Sequence, residues 1–120
     1  MFTECRSLTR LDVSHFNTAK VKNMSKMFLD CYKLTTLDLS SFVTDNVTDM
    51  GFMLYSCKNL TTVYVNNFNT SKVKKSDDMF QGCMNLVGGR GTRYNENNVT
   101  HSYARIDGGS SAPGYFTRKP

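Results

Sequence analysis

Residues 27–50 read MFLDCYKLTTLDLSSFVTDNVTDM, and this stretch is one copy of a unit that recurs along the chain. The cysteines show the period most plainly, because Cys5, Cys31, Cys57 and Cys83 are each separated by 26 residues. The same step aligns methionines, phenylalanines, leucines, threonines and valines. Self-similarity at a fixed period of roughly 20 to 50 residues is typical of repeat proteins. The sequence therefore predicts a single structural motif repeated along the chain.

Each unit contains two different apolar patterns. In the segment LTTLDL, Leu37 and Leu39 alternate with polar residues, which predicts a short strand with one buried face. Ahead of the strand, apolar residues recur at steps of three and four, which is typical of one face of a helix. These residues are Val21, Met24, Met27, Phe28, Cys31 and Leu34. Thr18, Thr44 and Thr70 are suited to cap the starts of such helices.

A strand and a helix in every unit, stacked in parallel, predict an α/β fold of the leucine-rich-repeat solenoid type. Strands stack about 4.8 Å apart whereas helices need about 8–10 Å. The coil should therefore curve, with short parallel strands on its concave side and helices on its convex side. We expect residues 1–86 to form about three repeats of 26 residues. Gly88, Gly89 and Gly91 then interrupt the pattern, so residues 87–120 are expected to form a C-terminal cap with short strands and turns.

The expected cap has weaker patterns of its own. Residues 103–106 alternate weakly, which predicts an added strand. Tyr115 and Phe116 are expected to pack back or to pair as a second short strand, and residues 117–120 are expected to fray. The glycine-rich stretch 87–92 lacks the Gly-Lys-Ser/Thr ending of a phosphate-binding loop, so we do not assign a phosphate site to it.

Residues that could carry catalysis or hold a metal are few and scattered. The two histidines, His15 and His101, belong to no nucleophile–base or paired-acid motif. The cysteines lack the Cys-x-x-Cys spacing or the histidine pair that would indicate zinc. Their place in the apolar pattern instead predicts buried, free thiols. We therefore expect a protein that is not an enzyme, with no catalytic residues, no metal and no cofactor.

The composition narrows the classes of partner. The chain is 39% hydrophobic and 21% charged, with a net charge of +5. This charge is too small, and the lysines are too poorly interleaved with aromatic residues, to predict nucleic-acid binding. No apolar run reaches the roughly 18 residues needed to span a bilayer, and the chain opens without a signal-peptide pattern. We therefore expect either a cytoplasmic chain or one segment of a longer exported protein.

The phase of the predicted strands defines a set of outward-facing polar side chains on the concave surface. The candidate ligand-binding residues are Arg10, Asp12, Thr36, Asp38, Thr62, Tyr64 and Asn66. Asp12 and Asp38 should stack about 5 Å apart, where they could bind a cation such as calcium or form hydrogen bonds with neighbouring hydroxyls and Arg10. We favour the hydrogen bonds. Tyr64 breaks the aspartate column, and it is expected either to contact a partner or to cover the junction with the cap.

The repeat unit resembles the BspA-like leucine-rich repeat of bacterial surface proteins. The resemblance covers residues 1–86 and rests on Met-Phe, Cys, Leu-Thr-x-Leu-Asp-Leu-Ser and Phe-x-Thr at that family's offsets. The third unit departs from it at Tyr64, Asn66 and Ser76, which replace aspartate, serine and methionine.

The resemblance implies a location and a role. It implies display at the cell surface or secretion, as part of a longer exported protein, and adhesion without catalysis. The expected partner is a host or microbial surface protein bound through the concave sheet face, and the chain is expected to be a monomer that neither binds nucleic acid nor inserts into a membrane. The alternatives are a structural spacer or stalk, and an interaction protein inside the cell.

Overall fold

The computed structural model describes residues 7–120 and contains a parallel sheet of three short strands. Strand β1 spans Thr36–Asp38, β2 spans Thr62–Val65 and β3 spans Thr117–Arg118. The order is β1-β2-β3, so the strand from the C-terminal end of the chain lies directly beside β2. The position of β1 and β2 agrees with the alternation of apolar and polar residues in the units. Leu37 in β1 and Val63 in β2 are buried and lie level with each other.

An apolar core formed by the described residues lies beneath the sheet. It combines the apolar residues of the repeating segments with buried aromatic residues from the C-terminal part of the chain. The largest fully buried side chains are Tyr115, Phe28, Phe80, Phe116, Met24, Leu34, Leu37, Leu39, Met50, Met53, Leu54 and Leu60. Burying apolar surface of this kind is the main force that holds a small domain together.

The expected leucine-rich-repeat solenoid, with helices on its convex side, is wrong. Residues 7–120 contain no α-helix, only two one-turn 3-10 helices at His101–Tyr103 and Gly109–Ser111. The chain forms a compact body of 33 × 31 × 29 Å with a radius of gyration of 12.7 Å. Most of this body consists of turns and loops around the small sheet.

The backbone hydrogen bonds explain why the predicted helices do not form. The N–H groups of Met24 and Phe28 donate to the carbonyls of Asp49 and Met53, at 2.8 and 2.9 Å. The N–H group of Met27, which lies between them, instead donates back three residues to Met24, at 3.3 Å. An α-helix needs every N–H group to donate to the carbonyl four residues earlier. Here alternate N–H groups leave the local segment and join it to the next one along the chain.

The backbone conformation of these segments is also incompatible with a helix. Residues with a left-handed backbone occur twice in each segment, four residues apart. They are Lys26, Asp30, Phe52, Ser56, Asp78 and Gly82, with φ between 51° and 86°. A residue with positive φ ends a right-handed helix, and for residues other than glycine this conformation is uncommon. The spacing of three and four in the sequence therefore reflects stacked turns with a buried side.

The buried threonines link successive segments and do not cap helices. Thr18 and Thr44 are almost completely buried. The Thr18 hydroxyl accepts a hydrogen bond from Val43 N–H at 2.8 Å and donates to the Val43 carbonyl at 3.1 Å. Thr44 forms the same pair of bonds with Asn69, at 2.8 and 2.9 Å. Each hydroxyl thus satisfies both backbone groups of a residue in the next segment, which answers the requirement that buried polar groups be paired.

Three of the four cysteines lie in the core and form no disulfide with one another. Cys31, Cys57 and Cys83 are buried and unbonded to other cysteines, which confirms the prediction for these three, whereas Cys5 lies outside the described residues. The thiols of Cys57 and Cys83 contact the carbonyls of Phe28 and Leu54 at 3.2 and 3.0 Å. Burial raises the pKa of both thiols, that of Cys83 to about 12. The thiols therefore stay protonated and unreactive at neutral pH.

The C-terminal part of the chain, from residue 87 onward, supplies hydrogen-bond partners for the third repeating segment, residues 76–83. Phe80 N–H donates to the Val99 carbonyl at 3.1 Å, and Gly82 N–H donates to the Tyr94 hydroxyl at 3.2 Å. The Oγ atom of Ser76 lies 2.8 Å from Nδ1 of His101. These contacts take the place of the backbone pairs that join the earlier segments. The predicted boundary at residue 86 stays a prediction.

Two expectations for this part of the chain are wrong. Residues 103–106 do not add a strand, because a 3-10 helix occupies His101–Tyr103 and only Ile106 forms an isolated bridge, with Phe116. Thr117 and Arg118 do not fray but form β3, which pairs with β2. The buried rings of Tyr115 and Phe116, packed against Phe80 at 5.0 and 5.8 Å, hold the chain in place just before β3.

Candidate functional site

The solvent-facing side of the sheet carries most of the candidate residues. We call this surface the open face, and define it as Thr36, Asp38, Thr62, Tyr64, Asn66, Thr117 and Lys119. Side chains alternate along a strand, so Asp38 and Tyr64 face outward while their neighbours Leu37, Val63 and Val65 are buried. Asp38, Tyr64 and Thr117 lie level with one another across the three strands.

Lys119 joins the strands at the centre of the open face. Its backbone N–H donates to the Val65 carbonyl at 3.0 Å, which fixes the residue beside β2. Its Nζ atom forms an ion pair with the Asp38 carboxylate and lies 5.6 Å from the centroid of the Tyr64 ring. Lys119 therefore extends over Tyr64 to reach Asp38. No sequence pattern pointed to this residue, because its position depends on the pairing of β3 with β2.

The Asp38 carboxylate is ionised at neutral pH. Burial opposes its ionisation, but hydrogen bonds from Lys119 and from the N–H of Ser40 outweigh this effect and hold the pKa below its ordinary value. About 40% of each side chain of the Asp38–Lys119 pair is exposed, 44% and 41% respectively. Such half-exposed pairs contribute little to stability, because water and salt screen them. A partner that offers better contacts can therefore open this pair at small cost.

Arg10 and Asp12 lie outside the sheet. The predicted first strand does not form, and both residues are exposed on a loop. Asp12 accepts hydrogen bonds from the N–H and the hydroxyl of Ser14, at 2.9 and 2.6 Å, and these bonds lower its pKa. Both aspartates accept hydrogen bonds, Asp12 from Ser14 and Asp38 from Ser40 and Lys119. Within residues 7–120, no group of three or more His, Cys, Asp or Glu side chains is arranged to hold a metal ion.

Two of the remaining candidates, Thr62 and Asn66, have polar contacts at the edges of the open face. Thr36 is exposed, and the hydroxyl of Thr62 lies 3.4 Å from that of Thr61. The side-chain amide of Asn66 donates to the Ser40 carbonyl at 3.4 Å. The structure therefore places Thr36, Asp38, Thr62, Tyr64 and Asn66 on one surface.

Ser76 and His101 form a contact that resembles a nucleophile–base pair. Besides the contact with Nδ1, the Ser76 oxygen accepts a hydrogen bond from the backbone N–H of His101 at 3.1 Å. Ser76 is buried, with 7% of its surface exposed. Both bonds attach the same residue of the C-terminal part to the third segment, so we assign the pair to folding.

No helix in the part of the chain from residue 7 onward is long and apolar enough to cross a membrane.

Comparisons with known proteins correct the family resemblance. No curated protein and no solved structure matches the chain. A family model described as "Mycoplasma protein of unknown function, DUF285" matches residues 1–112. The resemblance to the BspA-like leucine-rich-repeat family is therefore wrong, because the model that matches is a different one and the helices of the expected repeat are missing from residues 7–120. The match covers more than nine-tenths of the chain, and the protein belongs to the family described as Mycoplasma protein of unknown function, DUF285.

Proposed function

We propose that this chain is a non-catalytic protein-binding or adhesion module that uses the open face as its contact surface. The proposed partner is a host or microbial surface protein. We also propose that the module acts at the cell surface or after secretion, as part of a longer exported protein. The observation that carries the proposal is Tyr64, which lies on the central strand, is partly exposed, and has the Lys119–Asp38 pair around its ring.

Tyrosine at such a position has the properties of a binding anchor. Its ring offers a large, rigid contact area, and its hydroxyl can still bond to a polar partner. Residues that dominate binding energy are often tyrosine, tryptophan or arginine at the centre of an interface, with polar residues around them. On the open face, Thr36, Thr62 and Asn66 surround Tyr64 in this way. The opposite charges of Asp38 and Lys119 make the surface selective for a partner with its own paired charges.

The proposal is tested by attachment to cells. Beads coated with the full chain are incubated with intact host or microbial cells, before and after protease treatment of the cell surface. The expected result is attachment that protease abolishes and that Tyr64→Ala reduces by about tenfold or more. Tyr32→Ala is the matched control, because the Tyr32 ring also has a lysine over it, with Lys58 Nζ 5.4 Å from the centroid, but lies outside the sheet. Attachment that is equal for Tyr64→Ala and the native chain would contradict the proposal.

A structural spacer is the second candidate, and one observation favours it. Charged groups of the open face are already paired within the chain, since Lys119 contacts Asp38. A spacer predicts that coated beads do not attach to cells at all, and that an unrelated domain of similar length can replace this one in the longer protein without loss of function.

A further inference from the structure

A cleft of about 550 Å³ lies beside β3, and neither Asp38 nor Tyr64 lines it. Two arginines, Arg90 and Arg118, line it, and the other lining residues are Gly89, Ile106, Asp107, Gly108 and Thr117. This volume falls in the range of roughly 300–1,000 Å³ that is usual for small-molecule sites. None of the open-face contacts described above uses the two arginines.

Asp107 forms a fixed, charged part of the cleft wall. It is almost completely buried, at 4% exposure. One carboxylate oxygen accepts hydrogen bonds from the N–H groups of Arg90 and Thr92, at 2.9 and 3.0 Å. The other accepts from the Thr92 hydroxyl at 2.7 Å and from Gly109 N–H at 2.9 Å. Four donors thus hold both oxygens in a fixed orientation.

The two arginines reach the cleft from different parts of the chain. Arg90 is held by the hydrogen bond from its backbone N–H to Asp107. Its Cδ atom lies close to Gly109, 3.7 Å from the position that a Cβ atom would have there. Arg118 lies on β3, level with the buried Val65, whereas its neighbour Thr117 lies level with Tyr64. Because side chains alternate along a strand, Arg118 projects to the side opposite Lys119. The cleft therefore shares Thr117 with the open face, but Asp38, Tyr64 and Lys119 do not line it.

We propose that this cleft binds the carboxylate group of a ligand, with Arg90 and Arg118 as its charged contacts. Guanidinium groups present donors in a planar fork that matches a carboxylate. Two arginines and one buried aspartate leave one net positive charge in the cleft, which balances a single carboxylate better than a doubly charged phosphate. The carboxylate can belong to a free organic acid or to the C-terminus of a peptide, and the chemistry of recognition is the same for both.

The test is a titration of the full chain, followed by the amide NMR signals of Gly89 and Gly108. The probes are N-acetylglycine, its uncharged analogue N-acetylglycinamide, inorganic phosphate, and a tetrapeptide with a free or an amidated C-terminus. We expect N-acetylglycine to produce saturable shifts at millimolar concentration, and N-acetylglycinamide and the amidated peptide to produce none. A peptide with a free C-terminus that binds about tenfold more tightly than N-acetylglycine identifies a peptide ligand, and equal affinity identifies a small acid.

Matched variants separate the cleft from general surface charge. Arg90→Met and Arg118→Met keep the side-chain stem and should each weaken N-acetylglycine binding by about tenfold, the loss expected for one charge-assisted hydrogen bond. Arg93→Met is the control, since Arg93 is an exposed arginine of the same region that does not line the cleft. Tyr64→Ala should leave N-acetylglycine binding unchanged. A failure of the cleft proposal can therefore be distinguished from a failure of the open-face proposal. Absence of saturable shifts, equal shifts with N-acetylglycinamide, tighter binding of phosphate, or unchanged affinity in both arginine variants would each overturn the proposal.

Discussion

Two regions of the molecule are held together by hydrogen bonds to different kinds of acceptor. They are the stacked segments, residues 24–31 and 50–57, and the C-terminal part from residue 87 onward. The stacked segments are joined by backbone bonds at regular intervals, such as Met50 N–H to the Lys75 carbonyl at 2.8 Å and Leu54 N–H to the Met79 carbonyl at 2.9 Å. In the C-terminal part, side chains such as Asp107 and the Tyr94 hydroxyl provide many of the acceptors. Backbone bonds survive most substitutions, whereas side-chain bonds depend on single residues. Stability should therefore be more sensitive to substitution in the C-terminal part.

The largest effect is expected at Asp107. Replacing Asp107 with alanine leaves four part-buried donors without their acceptor and should lower the free energy of unfolding by about 3–5 kcal/mol. Asp107→Asn keeps the shape but turns one oxygen into a donor that faces other donors, so we expect a loss of about 2 kcal/mol or more. Urea denaturation measures both losses. If Asp107→Ala unfolds at the urea concentration of the native chain, the C-terminal part does not depend on this residue.

The Asp107 carboxylate should also make the free energy of unfolding depend on pH. Burial opposes the ionisation of Asp107, but the hydrogen bonds from Thr92, Gly109 and Arg90 outweigh it and lower the pKa from 3.8 to about 2. Because the folded-state pKa lies below the unfolded one, this contribution is fully present above about pH 4 and is lost as the pH falls toward 2. Its size is roughly 2 kcal/mol.

Urea denaturation of the native chain and of Asp107→Asn, measured from pH 6 to pH 2, isolates this term, because the other carboxylates are common to both chains. The stability difference between the two should shrink as the pH falls below about 4. A difference that stays constant over this range would show that the pKa of Asp107 is the same in the folded and unfolded chains.

A smaller loss is expected at Thr44, in the repeating part of the chain that contains the stacked segments. Thr44→Val removes the hydroxyl that serves both backbone groups of Asn69, and should cost about 1–2 kcal/mol. Thr44→Ser retains the hydroxyl and should recover most of this loss. A cost at Thr44 that equals or exceeds the cost at Asp107 would contradict the comparison between the two regions. Both variants are measured by urea denaturation beside the native chain.

Local alternation predicted two of the strands correctly, but the similar alternation of Leu11 and Val13 and of residues 103–106 forms no strand. Leu37 and Val63 alternate with polar neighbours, and both lie in strands as expected. The helices failed because the spacing of Met24, Met27 and Phe28 specifies only which side chains are buried. It does not specify which carbonyl accepts each N–H, and here alternate acceptors lie in the next segment. The apolar spacing within a segment and the hydrogen bonds between segments are therefore independent, and the bonds between segments determine the backbone conformation.

The candidate site was predictable in part for the same reason. Tyr64 and Asp38 follow from the phase of their own strands, so the sequence could place both on one surface. Lys119 and Arg118 could not be placed, because the polar end of the chain has no pattern that distinguishes a strand from a frayed terminus. Their positions follow from the parallel pairing of β3 with β2, which the buried rings of Tyr115 and Phe116 direct.

The smallest effect on stability is expected for the Lys119–Asp38 pair on the open face, which is the proposed contact surface. Lys119→Met removes the ion pair with Asp38, and the free energy of unfolding should fall by less than about 1 kcal/mol, because the pair is half exposed. The pKa of Asp38 should rise, since Lys119 donates a hydrogen bond that lowers it. An NMR titration of the Asp38 carboxyl carbon measures this shift, with Arg118→Met as a control that leaves it unchanged. An unshifted pKa in Lys119→Met would show that the pair does not form in solution. If the pair forms and is weak, the open face can exchange its internal contact for a partner's, whereas Asp107, held by four donors, cannot.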